Sequence, residues 1–157
     1  MANWCSNMVV FEGSTEAIKQ IQQLFEAMKE NEEKTEKGQL PDFTDNTNGG
    51  YFFNIYWNEG DEGIFQYETR WAPNSEILRT IAERYLLNFT HDYEEMGNNI
   101  YGRASYQNEI LDDVCLSDEE LELFSFDEET DTYHFEGEVY EIEYEILEIL
   151  LERKLSF

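Results

Sequence analysis

Apolar positions recur along this chain with two periods, and the changes of period mark its elements. Ser6 to Phe11 is rich in residues that fit a pleated surface and is closed by Gly13, so it reads as a strand. A helix follows, with Ser14 or Thr15 as its cap and Glu16 at its positive end. Ile18, Ile21, Leu24, Phe25 and Met28 share one face at helical spacing. The charged run Lys29 to Lys37 ends or frays that helix, and Gly38 to Gly50 is a polar loop. Tyr51 to Trp57 is apolar and aromatic, Asn58 to Gly63 turns the chain, and Ile64 to Trp71 returns, which predicts a hairpin. Its second strand alternates, with Phe65, Tyr67, Thr69 and Trp71 on one face and Ile64, Gln66, Glu68 and Arg70 on the other.

Pro73 stops that strand, and Asn74 or Ser75 can cap a second helix whose stripe is Ile77, Leu78, Ile81, Ala82 and Tyr85. Phe89 to Glu95, a turn at Gly97 to Asn99, and Ile100 to Tyr106 predict another hairpin. Strand, helix, strand, strand, helix, strand and one further strand, with both helices on one face of an antiparallel-rich sheet, is an α+β, ferredoxin-like βαββαβ arrangement. Beyond residue 107, Glu120 to Phe126 and Thr132 to Glu136 fit a hairpin around Asp127 to Asp131. Val139 to Ile146 alternates at period two, yet Ile142, Ile146, Ile149 and Leu150 also share a helical face; the Leu-rich end favours a helix over residues 138–154.

Composition sharpens this into a body, residues 1–107, and an acidic extension, residues 108–157, packed on the same domain. With 157 residues, 41% hydrophobic and 15% aromatic, the chain is long enough for one real core. No run is long and apolar enough for a membrane span, and Met1 to Asn7 lacks the basic head of a signal peptide, so a cytoplasmic location is expected. The formal charge is −26: the body carries 18 acidic and 8 basic side chains, the extension 18 and 2, with no Lys or Arg between Arg103 and Arg153. Such a charge disfavours direct binding to nucleic acid or anionic lipid and favours a basic partner.

Candidate chemistry is sparse. Phosphate-loop, dinucleotide, hydrolase-elbow and zinc patterns are all absent, so no enzyme and no cofactor is expected. Cys5 and Cys115 stand too far apart in sequence for a metal-type cluster, and a nucleophilic Cys5 needs a base that only His91 or His134 can supply. Glu94 and Glu95 are adjacent carboxylates, a common coincidence in so acidic a chain. Neither Asp127 to Thr132 nor Asp42 to Gly50 places Gly and Glu where a calcium loop needs them.

Three stretches in order, "MANWCSN" at the start, "ETRWAP" before the second helix and "HDYEEMGNNIYGRASY" after it, resemble the YubB ferredoxin-like family of uncharacterised proteins from plasmids, phages and other mobile elements. The resemblance covers roughly residues 1–107 and implies a fold and a genomic setting, but no activity. In such a sheet the first strand is central, so Trp4 and Cys5 start a clamped strand, with Trp4 covering the end of the core.

Two surfaces follow as candidates. Glu68, Arg70, Glu94 and Arg103 fall on the sheet face turned from the helices, with Arg103 placed to pair with Glu68 or Glu94; this face can hold a small ligand or divalent cation, or carry ion pairs that keep the sheet soluble. Asp127, Glu128, Glu129, Asp131, Glu141, Glu145, Glu148 and Glu152 lead a dense acidic set interleaved with apolar residues, so the extension should fold and hold its charges fixed. The expected function is a small non-catalytic protein-interaction module with a basic partner. Its sharper form is a DNA mimic that blocks a host nuclease or other DNA-binding protein, and its bland form is a surface that prevents aggregation.

Overall fold

The computed structural model describes residues 3–44 and 49–156. Met1, Ala2, residues 45–48 of the polar loop and Phe157 lie outside the described residues, and with them part of the opening stretch and of the Asp42 to Gly50 comparison. The first strand, β1 (Trp4–Glu12), alternates buried and exposed positions and leads into α1 (Thr15–Thr35), where the Ser14 hydroxyl accepts from the Ala17 amide at 3.1 Å. This helix runs through most of the charged segment expected to end it. Glu30 pairs with Lys34 and Lys29 with Glu33 at one-turn spacing, and the Lys29 ammonium also donates to the Ile55 carbonyl.

The strands β2 (Phe53–Tyr56) and β3 (Ile64–Arg70), the helix α2 (Ser75–Tyr85), then β4 (Asn88–Glu95) and β5 (Ile100–Gln107) follow in the expected order. A sixth strand, β6 (Ile110–Cys115), completes an antiparallel sheet of order β2-β3-β1-β4-β5-β6. The first four positions of that order are the ferredoxin-like pattern, with β1 central between β3 and β4. Because β6 pairs with β5 along its whole length, the division placed at residue 107 falls inside a hairpin of the sheet.

The helices α1 and α2 bury their apolar stripes on one sheet face. There Phe25 stacks on Phe65 at 3.9 Å and Phe11 meets Phe25, Phe65 and Phe89. Aromatic rings supply large buried area, and the offset and edge-on contacts add to it. Trp4 does not cover this core. Side chains alternate along β1, so burying Cys5, Val9 and Phe11 sends Trp4 to the opposite face, where its ring meets Phe53 edge-on at 5.0 Å.

The extension folds onto that opposite face. A short helix α3 (Asp118–Leu121) and a three-stranded sheet of β7 (Phe124–Asp127), β8 (Thr132–Phe135) and β9 (Glu138–Tyr140) precede α4 (Glu143–Leu155). The predicted hairpin is β7–β8, shortened because Glu120 and Leu121 belong to α3. The segment expected to be one helix is divided: residues 138–140 pair with β8, and the helix begins at Glu143. Both periods seen in that segment are therefore used, one after the other. Leu116, Phe135, Ile146, Leu147, Leu150 and Leu151 form a second core between α4, the small sheet and the β5–β6 edge.

Candidate functional site

The most organised polar group in the molecule is buried. Asn7, Thr69 and His91 come from three adjacent strands on the helix-facing side, and Ser75 opens α2. Asn7 Nδ2 donates to the Cys5 carbonyl and to Thr69 Oγ1, both at 3.0 Å, which leaves Asn7 Oδ1 as an acceptor for His91 Nε2 at 2.8 Å. The opposite ring nitrogen, Nδ1, then accepts the Ser75 hydroxyl at 2.9 Å. Serine, imidazole and an orienting oxygen in a chain is the outline of a nucleophile triad. Its setting is that of a core bracket instead: His91 is fully buried, and desolvation pushes its pKa down to about 3. The neutral Asn7 brings no charge to stabilise an imidazolium. Tyr67, which donates to Asn74 Oδ1 at 2.7 Å, ties the start of α2 to the same sheet face. Burial also pushes the Cys5 thiol up to about 11, the direction opposite to an activated nucleophile.

The exposed-face residues singled out by alternation do share one face, but they form separate contacts. Arg70 lies over the rings of Phe53 at 4.8 Å and Trp4 at 5.7 Å. Glu68 accepts from Asn54 Nδ2 at 2.6 Å. The pairing of Arg103 with Glu68 or Glu94 is not made. Register explains this, because Arg103 lies directly across from Asp92, whereas Glu94 lies across from Tyr101. Arg103 donates through Nε to Asp92 and reaches Glu148 Oε1 on α4 at 3.5 Å. Partial burial opposes the guanidinium charge, and Asp92 and Glu148 outweigh that burial and hold its pKa above the usual value. Sequence alternation could not reveal Glu148 as the partner, since that contact depends on how α4 lies across β5.

The extension covers the β5–β6 half of this face and leaves Arg70 and Glu68 in the open half. Its two cations are both engaged. Lys154 donates to Glu120 Oε1 at 2.6 Å and to the Cys115 carbonyl at 2.8 Å, and Arg153 donates to Glu136 Oε1 at 2.7 Å. The Lys154 hydrogen bond, followed by the Ser117 amide, lowers the pKa of Glu120, and the Arg153 hydrogen bond lowers that of Glu136. Of the predicted acidic surface, Asp127 pairs with His134 at 3.6 Å and Glu148 turns inward to Arg103. Glu128, Glu129, Asp131, Glu141, Glu145 and Glu152 are exposed and have no ion-pair partner among the described residues.

Among the described residues no group of three or more His, Cys, Asp or Glu side chains stands close enough to hold a metal ion, and no helix is long and apolar enough to cross a membrane. Compared with known proteins, residues 52–136 match a family described as the ferredoxin-like domain in Api92-like protein. The match spans more than half of the chain, from β2 through β8, and so includes five of the six strands of the main sheet and the extension through β8, while β1 and α1 lie outside it. No curated protein and no solved structure gives a significant match.

Proposed function

We propose, starting from a chain that belongs to the family of the ferredoxin-like domain in Api92-like protein, that it is a non-catalytic interaction module for a basic protein partner. The observation that carries this reading is the unbalanced charge of the extension. Its two cations are spent on fastening α4, while six of the eight carboxylates singled out on it face solvent: Glu145 and Glu152 on α4, Glu141 just before it, and Glu128, Glu129 and Asp131 in the turn between β7 and β8. Charges fixed on a scaffold present one potential to a partner, steer its approach and lose little entropy on binding. A disordered acidic tail has none of that preorganisation.

A narrower reading takes the partner to be a DNA-binding protein of the host, with the carboxylates standing in for phosphates. It draws on the resemblance to the YubB family, with its mobile-element setting, on the cytoplasmic location expected of the sequence, and on the folded placement of Glu128, Glu129, Asp131, Glu141 and Glu145. A phosphate-binding surface releases its counterions to any matching array of anions, so such binding falls steeply with salt.

The test is capture from host lysate on the immobilised protein, eluted with a salt gradient and identified by mass spectrometry. A parallel column carries the variant Glu128→Gln, Glu129→Gln, Asp131→Asn, Glu141→Gln, Glu145→Gln. A basic protein that elutes late from the first column and is missing from the second supports the module, and a DNA-binding protein there supports the narrower reading. Identical retention on both columns, or nothing retained on either, contradicts both.

A further inference from the structure

The six-stranded sheet has two edges, and they are not alike. At β2 the outer backbone groups are already taken. Phe52, just before β2, exchanges backbone hydrogen bonds with Gln39, and the amides of Asn54 and Ile55 donate to Glu32 at 2.7 and 3.3 Å. The Ile55 carbonyl accepts from Lys29, and a register shift between Phe53 and Tyr56 breaks the strand further. Shielding and irregularity of this kind keep a sheet edge from pairing with another chain.

The other edge, β6, is regular and open. It leaves β5 through the two-residue turn Asn108 and Glu109, both in the left-handed region, and pairs without interruption from Ile110 to Cys115. The Leu116 amide donates to the Tyr101 carbonyl at 2.9 Å, which sets the phase of the ladder. Ile110, Asp112 and Val114 therefore bond to β5, and the amides and carbonyls of Leu111, Asp113 and Cys115 point away from the sheet. Of these outward groups only the Cys115 carbonyl has a hydrogen-bond partner among the described residues, Lys154 at 2.8 Å. Ile110 is 61% exposed, and Asp112, Asp113 and Cys115 are exposed with it, so the strand is open to solvent. The edges of the small sheet, β7 and β9, have four and three residues and are too short to hold a segment of that length.

Charge decides what can pair there. Side chains alternate along β6, so Asp112 stands on the α4 side and Asp113 on the other, where it accepts the Tyr93 hydroxyl. Neither they nor Glu109 have an ion pair among the described residues. A second copy is a poor occupant. Antiparallel pairing of two β6 strands through their outward groups sets Asp112 against Asp112, or Asp113 against Asp113, in the registers centred on those residues, and like charges directly opposite are destabilising.

We propose that β6 accepts an added strand from a protein partner, an extended segment with two adjacent basic residues between β-branched apolar ones. Main-chain bonds to Leu111 and Asp113 hold the segment, and its basic pair answers Asp113 and Asp112, one on each face. Its apolar residues lie beside Ile110, Leu111 and Val114. This edge is separate from the six carboxylates of the partner surface, so failure of the lysate capture leaves the inference intact.

The test is titration of the intact protein with the peptide acetyl-Thr-Val-Lys-Lys-Val-Thr amide, followed by two-dimensional NMR and amide exchange. Two further peptides serve as controls: the same one N-methylated at both lysines, so that each of its edges lacks a donor, and the Glu-Glu counterpart. Saturable shifts along β6 are expected with the first peptide alone. Exchange of the Leu111 and Asp113 amides should slow on binding, while Asp112 and Val114, already bonded to β5, stay as they were. Asp112→Lys should weaken the lysine peptide roughly fivefold, because a favourable cross-strand pair becomes an unfavourable one, and strengthen the glutamate peptide. Glu128→Gln, in the distal turn, should change neither. Equal binding by either control, shifts confined to α4 or to the turn between β7 and β8, or no saturable shift at β6 would overturn the proposal. So would slow exchange of Leu111 and Asp113 in the free protein that is lost on dilution, which would give the edge to a second copy.

Discussion

A single histidine shows how residue type and burial decide role. His91 has the partners of a catalytic base and the environment of a core residue, and the environment prevails because a buried imidazole resists its charge. The folded protein refuses a proton that the unfolded chain accepts near pH 6.5, so the contribution of His91 is whole above that value and drains as pH falls toward about 3. At about 1.36 kcal/mol per pH unit, roughly 2 kcal/mol should be lost between about pH 7.5 and pH 5. Urea unfolding of the wild type and of His91→Gln at each pH isolates this share from the carboxylates. A steeper fall in the wild type is expected, and parallel pH profiles would show that His91 is not held neutral by burial. The bracket was illegible in the sequence, since its partners lie 16 and 84 positions away.

At the scale of elements, the extension and the body are joined by β6, which pairs with β5 on one edge while Val114 and Leu116 pack into the second core. Local unfolding of α4 therefore exposes the flank of the sheet. All three tryptophans, Trp4, Trp57 and Trp71, lie in residues 1–107, so tryptophan fluorescence reports the body alone. Ile146→Ala empties a fully buried site in the extension, at a cost of about 2–5 kcal/mol for a large-to-small change in a core. If the two cores unfold together, the fluorescence midpoint in urea falls by that free energy divided by the m-value. An unchanged midpoint would mean that the extension unfolds independently. The hairpins and both body helices were readable from periodicity and turn residues. The division between β9 and α4 was not, because period-two and helical faces overlap in the same Ile- and Leu-rich residues, and the choice is made by pairing with β8.

For the molecule as a whole, the ferredoxin-like order was legible because each alternation and each stripe pointed to the same sheet. The placement of the extension was not, since nothing local to residues 138–154 says which sheet face or which half of it they cover. The same gap hid the Arg103 to Glu148 contact, which exists only once α4 lies on β5. The proposed partner surface depends on α4 being held in that place, so that its carboxylates stand at fixed positions despite a net charge of −26 that repels itself. Residue-resolved hydrogen exchange of the intact protein reads this directly, because exchange reports local opening. Amides of Ile146 to Leu151 should be protected to within an order of magnitude of those in β4 and β5, as expected for elements that open together. Exchange of that segment at the rate of an unstructured chain would contradict the account, leaving the acidic extension as a solvated tail with no fixed surface to present.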